Sequence, residues 1–238
     1  MEKVKKRFFN FIVCQMKNVY VILPQSETGI AKIARFITKY PYSHVTISLD
    51  DNLEVFYSFS RIFHDTPFIS GYVKEYRSHL ASKKNVKLNC KIFKIPVCDA
   101  EYESIVAFMK EIEADDTLLF NYLSMATLPI FGGFEVANTY NCGAFVARAI
   151  NRIHRITLHK KDYKFFPKDF EILLENEYLY FEGALDTDFE YEDDYYFHKI
   201  SWKDKVFKSG YLMKETCYRF LFKRVSKNFN RSKGMILR

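Results

Sequence analysis

One feature constrains the fold of this chain more than any other. Polar and apolar residues alternate on both sides of a short polar turn. Residues 44–49 (HVTISL) alternate with a period of two, and residues 54–60 (EVFYSFS) contain a second extended segment. The sequence Asp50-Asp51-Asn52 separates them and has the composition of a turn. Two such segments joined by a turn predict an antiparallel β-hairpin with half-buried strands.

The sequence around this hairpin mixes strand and helix patterns, which is typical of an α+β domain. Residues 19–23 (VYVIL) and 87–97 (KLNCKIFKIPV) predict further strands. Apolar residues at helical spacing predict helices that begin near Thr28, Asp99, Asn141 and Pro167, with Asp99 as an N-cap, and a short helix within residues 120–135. The segment after the hairpin, through Pro67 and Gly71, is predicted to be a loop.

The length and composition of the chain suit a single domain with a hydrophobic core. Of its 238 residues 48% are hydrophobic, which is a globular composition. The composition changes after Gly183, where an acidic stretch (residues 186–194) is followed by a basic one. We therefore expect a core domain over residues 1–182 and a C-terminal extension over residues 183–238 that packs on it.

The net charge of +7 comes largely from the two ends of the chain. One basic cluster covers residues 3–7 and another extends from Lys199 to Arg238. Basic termini that are simply solvated are the favoured interpretation, and contact with nucleic acid or an anionic membrane is the alternative. The sequence contains no zinc-finger, helix-turn-helix or RNA-recognition signature, so no specific nucleic-acid partner is expected.

The five cysteines lack the spacing of a metal site or a disulfide framework. No CxxC pair occurs and no histidine stands at ligand spacing, so neither zinc, another cofactor nor a disulfide scaffold is expected. Residues 8–13 (FFNFIV) follow a basic cluster as in a signal peptide, but the apolar run is short and no small-residue cleavage site follows. No apolar run reaches transmembrane length, and a cytoplasmic location is expected.

Cys142 lies where a polar loop turns into an amphipathic helix. A helix N-terminus presents unpaired N–H groups and a partial positive charge, which favour the nucleophilic thiolate and can bind an oxyanion. Gly143 beside it is expected to leave room for a substrate carbonyl. Judged by position alone, a small cysteine that packs a helix end is the commoner explanation.

His44 is the histidine best placed to act as the base for this thiol. It opens the first strand of the hairpin, from which its ring can project toward a helix start. Judged by position alone, a lone histidine at a strand start more often has a structural role. The other five lie in the loop after the hairpin or in polar later segments: His64, His79, His154, His159 and His198.

The sequences around both residues resemble one family of enzymes. The segment FITKYPYSHVTISLD and the strand after it resemble the histidine strand of circularly permuted NlpC/P60 (papain-like) cysteine hydrolases, and YNCGAFV resembles their cysteine helix. The core Asn-Cys-x-x-Phe-Val is also similar to the lecithin:retinol acyltransferase-like branch of the superfamily. The histidine precedes the cysteine, as in the permuted enzymes, and the resemblance covers roughly residues 19–175.

The resemblance implies a permuted papain-like core, in which an antiparallel sheet packs against a cysteine-bearing helix. It implies that Cys142 is the nucleophile, that His44 is the general base and later the general acid, and that a polar residue on the next strand orients the ring. One hairpin register places Ser58 or Ser60 near His44, and the other places Tyr57 there. We expect the first register and Ser58, since the facing strand offers no carboxylate there.

The implied activity is that of a cysteine peptidase or amidase, which hydrolyses amide bonds through a thioester. The expected substrate is a small peptide, such as a cell-wall-type peptide, or another amide or acyl compound. A lipid acyltransferase or thioesterase with the same Cys-His pair is an alternative, although Gly143-Ala144 replace the two residues that follow the cysteine in that branch. A binding module that keeps the fold without strong catalysis is the third hypothesis.

Overall fold

The described part of the chain contains eight strands and seven α-helices. A computed structural model of the protein describes residues 16–26, 29–81, 86–187 and 195–224. The elements are β1 (Lys17–Pro24), α1 (Gly29–Thr38), β2 (Thr46–Ser48), β3 (Phe56–Arg61), β4 (Ser70–Glu75), α2 (Arg77–Ala81), β5 (Lys87–Val97), α3 (Asp99–Ala114), β6 (Leu119–Phe120), α4 (Tyr122–Phe131), β7 (Thr139–Tyr140), α5 (Cys142–Ile150), α6 (Pro167–Tyr178), β8 (Leu179–Asp186) and α7 (Trp202–Phe222), with 3-10 turns at Asp162–Lys164 and Tyr195–Phe197.

Six of the strands form one antiparallel sheet in the order β4-β3-β2-β1-β5-β8. The two inner strands β1 and β5 pair over the full length of β1, and hydrophobic clusters cover both faces of the sheet. Val19, Val21 and Leu23 of β1 point into the larger cluster, whereas Tyr20 and Ile22 point into the smaller one. The prediction of an α+β fold with an antiparallel sheet is therefore confirmed.

The predicted hairpin is β2 and β3, in the first of the two registers. Ile47 pairs with Tyr57, which places Thr46 opposite Ser58 on the same face. The strand begins at Thr46, however, so His44 lies two residues before it and not within it. In the register of β1 with β2, residue 44 would face Pro24, which has no N–H to donate to the ladder.

The prediction of a loop after the hairpin is wrong, because residues 70–75 form the edge strand β4. It pairs with β3, with Ser58 opposite Val73 and Phe56 opposite Glu75. The Ser70-Gly71 start gives this strand weak β-propensity, and its sequence SGYVKE lacks the polar/apolar alternation of a half-buried strand. Residues 87–97 form a strand as predicted, and it is the fifth strand of the described chain.

The predicted helices occupy the expected places. The helix predicted to begin near Asp99 is α3, but its N-cap is Cys98 and not Asp99. The Glu101 carboxylate accepts from the Cys98 N–H at 3.0 Å. The helix that follows the polar loop is α5, and Phe145 fixes it to the sheet. The Phe145 ring lies 5.7 Å from the rings of both Phe59 and Phe108, which places α5 between β3 and α3.

The predicted boundary after residue 182 is corrected by the sheet. It falls inside β8, whose pairing with β5 adds the sixth strand, so residues 179–186 belong to the core. Beyond them, α7 packs on α4 and β6. The fully buried Arg219 of α7 donates to Glu215 and to the carbonyl oxygens of Thr117 and Asn138.

Several predicted features of the sequence lie outside the described residues. These are the basic cluster at residues 3–7, the apolar run at residues 8–13, most of the acidic stretch and the basic residues after Arg224. Within the described ranges, no helix is long and apolar enough to cross a membrane.

Candidate active site

Cys142 is the first residue of α5, where the preceding loop is held by a polar network. Asn141 caps the helix: its side-chain oxygen accepts from the Ala144 N–H at 2.7 Å, and its amide nitrogen donates to Ser124 Oγ at 3.2 Å. Ser124 is itself fixed by the side-chain oxygen of Asn121, which accepts from its N–H at 2.8 Å. The start of the helix therefore has one defined position, with the thiol at its positive end.

Gly143 is required by the protein's own backbone. A Cβ at this position would lie 2.1 Å from the carbonyl oxygen of Phe165, a distance that no side chain tolerates. We expected this glycine to leave room for a substrate carbonyl. The structure shows instead that the segment just before α6 occupies the space beside the glycine. The close approach presses the start of α5 against that segment.

The ring of His44 lies beside the thiol of Cys142, and its charge lowers the pKa of the thiol. Interaction with the backbone N–H groups of Val45 and Gly143 lowers the pKa of the thiol further. The segment just before β2 thus contributes both the imidazole and an N–H group to the cysteine at the start of α5. Two segments that are far apart in sequence meet at one sulfur atom.

Glu75 is the third member of the site. Its Oε2 lies 3.1 Å from Nε2 of His44, and the side chains of Glu75 and His44 are only 5% and 14% exposed. A carboxylate at Nε2 fixes the proton on that nitrogen and leaves Nδ1 for the thiol. The Ser58 hydroxyl donates to Glu75 Oε2 at 2.5 Å, and Ser60 is a further hydrogen-bond partner of the carboxylate.

The structure therefore gives Ser58 a different place from the one expected. It was predicted to accept from the imidazole, but its fully buried hydroxyl contacts the carboxylate that occupies that position. Sequence reasoning missed Glu75 because its strand was taken for a loop. The residues of this strand, SGYVKE, do not alternate in hydropathy, and the strand-forming pair Tyr72-Val73 was the available signal.

The three groups shift one another's ionisation. Burial raises the pKa of Cys142, but the charge of His44 and hydrogen bonds from its ring and from two backbone N–H groups outweigh this, so the pKa is lowered from 9.0. Burial lowers the pKa of His44, but Glu75 and Cys142 raise it to about 10. Burial likewise opposes ionisation of Glu75, and His44 and the serine hydroxyls lower its pKa from 4.5.

The shifts favour a thiolate, an imidazolium and a carboxylate in one row. A charged row of this kind is stable when buried only if each charge has an opposite neighbour and its hydrogen bonds are satisfied. His44 supplies the positive charge between the two negative groups. The thiolate is the nucleophilic form of cysteine, so the arrangement is chemically competent for attack on a carbonyl.

A cavity of about 410 Å³ opens beside this row and is lined by all three side chains. Its wall is mainly apolar, and it includes Phe59, Leu80, Phe120, Met125 and Phe166. Larger cavities, of about 750 and 710 Å³, lie elsewhere on the surface and touch none of the three groups. The site chemistry, and not cavity size, therefore identifies the 410 Å³ cavity as the candidate substrate site.

The other histidines lie apart from the thiol or in the outer wall of the cavity. His154 pairs with Glu101 at 3.0 Å, and His159 packs against Phe165. His64 and His79 line the same cavity, where the ring of His79 stacks on Tyr196. Among the described residues, no group of three or more histidine, cysteine, aspartate or glutamate side chains is placed to hold a metal ion.

Compared with protein-family models, curated proteins and solved structures, the chain matches none of them.

Proposed function

We propose that the protein is a cysteine-nucleophile hydrolase of amide bonds, with Cys142, His44 and Glu75 as its catalytic triad. The observation that carries this proposal is the position of His44, whose ring lies beside the Cys142 thiol and whose Nε2 lies 3.1 Å from a buried carboxylate. Such sites are defined by the spatial arrangement of a nucleophile, a base and an orienting group, whatever the order of these residues in the chain. The permuted papain-like fold and a cytoplasmic location are part of the same proposal.

The acylation step uses each group once. The Cys142 thiolate attacks the carbonyl carbon of the amide and forms the C–S bond, and the backbone N–H of Cys142 at the helix start stabilises the oxyanion. The His44 imidazolium donates its proton to the amide nitrogen, so that the C–N bond breaks and an amine leaves. Glu75 holds the ring in place and stabilises its positive charge throughout.

Deacylation reverses the proton transfers. Neutral His44 takes a proton from a water molecule, whose oxygen attacks the thioester carbon. Collapse of the second tetrahedral species releases the carboxylic acid and regenerates the thiolate beside the imidazolium. A small peptide or other amide fits the size of the cavity, and the proposal includes cell-wall-type peptides.

An acyltransferase or thioesterase that acts on a lipid-like acyl group is the second candidate. The observation that favours it is the apolar wall of the cavity, to which Phe120, Met125 and Phe166 contribute. Both activities share the acyl-cysteine. They differ in whether water or an acceptor molecule resolves it, and acceptor-dependent product formation separates them.

The test is formation and turnover of an acyl-enzyme with p-nitrophenyl acetate. We expect a burst of nitrophenol, an acetyl group on Cys142 in the mass spectrum, and slow release of acetate. The Cys142→Ala and His44→Ala variants should give no burst, whereas Cys217→Ser, which changes an exposed cysteine, should behave as the wild type. Absence of a burst, together with alkylation of Cys142 no faster than that of Cys217 at neutral pH, would refute the proposal and leave a binding module.

A further inference from the structure

The helix α7 exposes a face that is unusually apolar. Its inner face is buried through Leu212, Glu215, Thr216 and Arg219. Its large apolar side chains are nevertheless between 38% and 70% exposed: Trp202, Val206, Phe207, Met213, Phe220, Leu221 and Phe222. Single exposed apolar residues are ordinary, but a contiguous group of them marks an interaction surface.

These side chains are contiguous on the helix. At about 100° per residue, six of the seven fall within about 140° on the side opposite the buried residues. Phe220 also contacts Phe134, which follows α4, with ring centroids 5.5 Å apart. Phe131 at the end of α4 is 69% exposed. The docking face, defined as the exposed side of α7 with Phe131 and Phe134, thus spans two elements.

On α7, the charged side chains that lie among the exposed apolar residues are lysines. Lys203 and Lys214 are exposed within it, and Lys223 and Arg224 follow the end of the helix. The two carboxylates of α7 lie elsewhere: Glu215 is buried against Arg219, and Asp204 falls outside the apolar sector. The sequence beyond Arg224 adds four more basic residues and no acidic one.

We propose that α7 binds to the surface of an anionic lipid bilayer through this docking face and lies in the plane of the interface. A helix that places Trp, Phe and Leu among lysines has the composition of interfacial membrane-binding helices. Its cations can approach anionic headgroups while the apolar side chains enter the acyl boundary. The proposal does not depend on the catalytic role of Cys142.

The observations favour a bilayer over the other possible occupants. Two copies of the same docking face would bring lysines together without carboxylates to balance them, which disfavours a symmetric dimer. Proteins bind single-stranded nucleic acid through cations and through aromatic rings that stack on the bases. The non-aromatic side chains of Val206, Met213 and Leu221 cannot stack in this way. A bilayer satisfies both the charge and the apolar area.

The helix also connects the docking face to the candidate active site. On its inner side, Lys205 forms an ion pair with Asp65, and Asp65 lines the 410 Å³ cavity. Membrane binding through α7 would therefore place the cavity close to the bilayer surface. Substrates held at that surface would then be within reach of Cys142.

Trp202 makes the proposal directly testable, because it is the one tryptophan of the chain and lies on the docking face. Full-length protein is titrated with vesicles of phosphatidylcholine alone or mixed with phosphatidylglycerol. We expect sedimentation with the anionic vesicles, a blue shift of Trp202 emission, and weaker binding at high salt. Lys203→Gln with Lys214→Gln should weaken binding about 25-fold, since each basic residue near an anionic surface accounts for about a fivefold change.

A matched pair of double variants isolates the docking face. Val206→Asp with Leu221→Asp should weaken binding more than tenfold. Phe36→Asp with Ile172→Asp adds the same charge at exposed apolar residues of α1 and α6 and should bind like the wild type. The proposal is overturned if wild-type Trp202 shows no shift, if both double variants bind alike, or if Val206→Asp with Leu221→Asp abolishes self-association in sedimentation velocity while no vesicles are bound.

Discussion

His44 Nε2 lies 3.1 Å from Glu75 Oε2. This contact links the segment before β2 to the edge strand β4. The two strands are not neighbours, since β3 lies between them in the sheet. Ser58 on β3 bridges the gap, because its hydroxyl donates to the same carboxylate oxygen. The orientation of the imidazole is therefore set by a residue two strands away.

Replacement of the carboxylate tests this relationship. Glu75→Gln keeps the shape but removes the negative charge, so the imidazolium loses its stabilising partner and the thiolate becomes less populated. We expect the rate of Cys142 acylation to fall by about 10²- to 10⁴-fold. In the acylation rate measured by the nitrophenol burst across pH, the upper limb, where the imidazolium of His44 loses its proton, should be displaced to lower pH, because Glu75 raises the pKa of His44.

Two further variants serve as controls for Glu75→Gln. Ser58→Ala leaves the carboxylate in place and removes one hydrogen bond, for which a loss of about tenfold is expected. Glu113→Gln neutralises an exposed glutamate of α3 and should change nothing. If Glu75→Gln acylated as fast as Glu113→Gln, the carboxylate would have no part in the reaction.

The sequence predicted those parts of the site that depend on local patterns. The Asn-Cys helix start and the hairpin register both follow from the periodicity of neighbouring residues, and Ile47 indeed pairs with Tyr57. The proximity of His44 to Cys142 depends on how the two segments pack. No local pattern determines the distance between segments so far apart in the chain. This part of the site was therefore expected only from the resemblance to permuted papain-like hydrolases.

Glu75 and the end of the domain were missed for physical reasons. The strand that carries Glu75 is short and begins with Ser70-Gly71, so its propensity is weak, and pairing with β3 stabilises it. The strand β8 lies at the edge of the sheet, and most of its side chains are exposed. Its sequence therefore indicated the end of the core domain and not a strand of the sheet. Its long pairing with β5 is a tertiary interaction that no window of residues reveals.

The ion pair between His44 and Glu75 should make stability depend on pH in two directions. The pKa of His44 is raised from 6.5 to about 10, so its contribution is complete below about pH 6.5 and is lost as the pH rises through 10. The pKa of Glu75 is lowered from 4.5, so its contribution is complete above about pH 4.5 and is lost as the pH falls through the lowered value.

Urea denaturation of the wild type and Glu75→Gln across pH measures this contribution. The difference in unfolding free energy should be largest between about pH 4.5 and 6.5 and should shrink on either side. A difference that stays constant from pH 4 to pH 10 would mean that the pair is not ionised in the folded protein.

Gly143 provides a test of how tightly the start of α5 is held. In Gly143→Ala the new methyl group meets the Phe165 carbonyl oxygen, so the helix start and the thiol must move. We expect a loss of about 1–3 kcal/mol in unfolding free energy and a large drop in acylation. Gly210→Ala is the matched change, because nothing lies within 4 Å of its Cβ, and a helical alanine should stabilise α7 by up to about 1 kcal/mol.

Arg219 should account for much of the attachment of α7 to the core. It is fully buried and donates to Glu215 and to the carbonyl oxygens of Thr117 and Asn138, which flank the loop leading toward Cys142. In Arg219→Met the Glu215 carboxylate stays buried without its cation, so we expect a loss of about 3–5 kcal/mol in unfolding free energy. Arg219→Met combined with Glu215→Met removes both charges and should recover much of the loss, as measured by urea denaturation. Equal losses in the single and double variants would show that the carbonyl contacts, and not the ion pair, hold the helix.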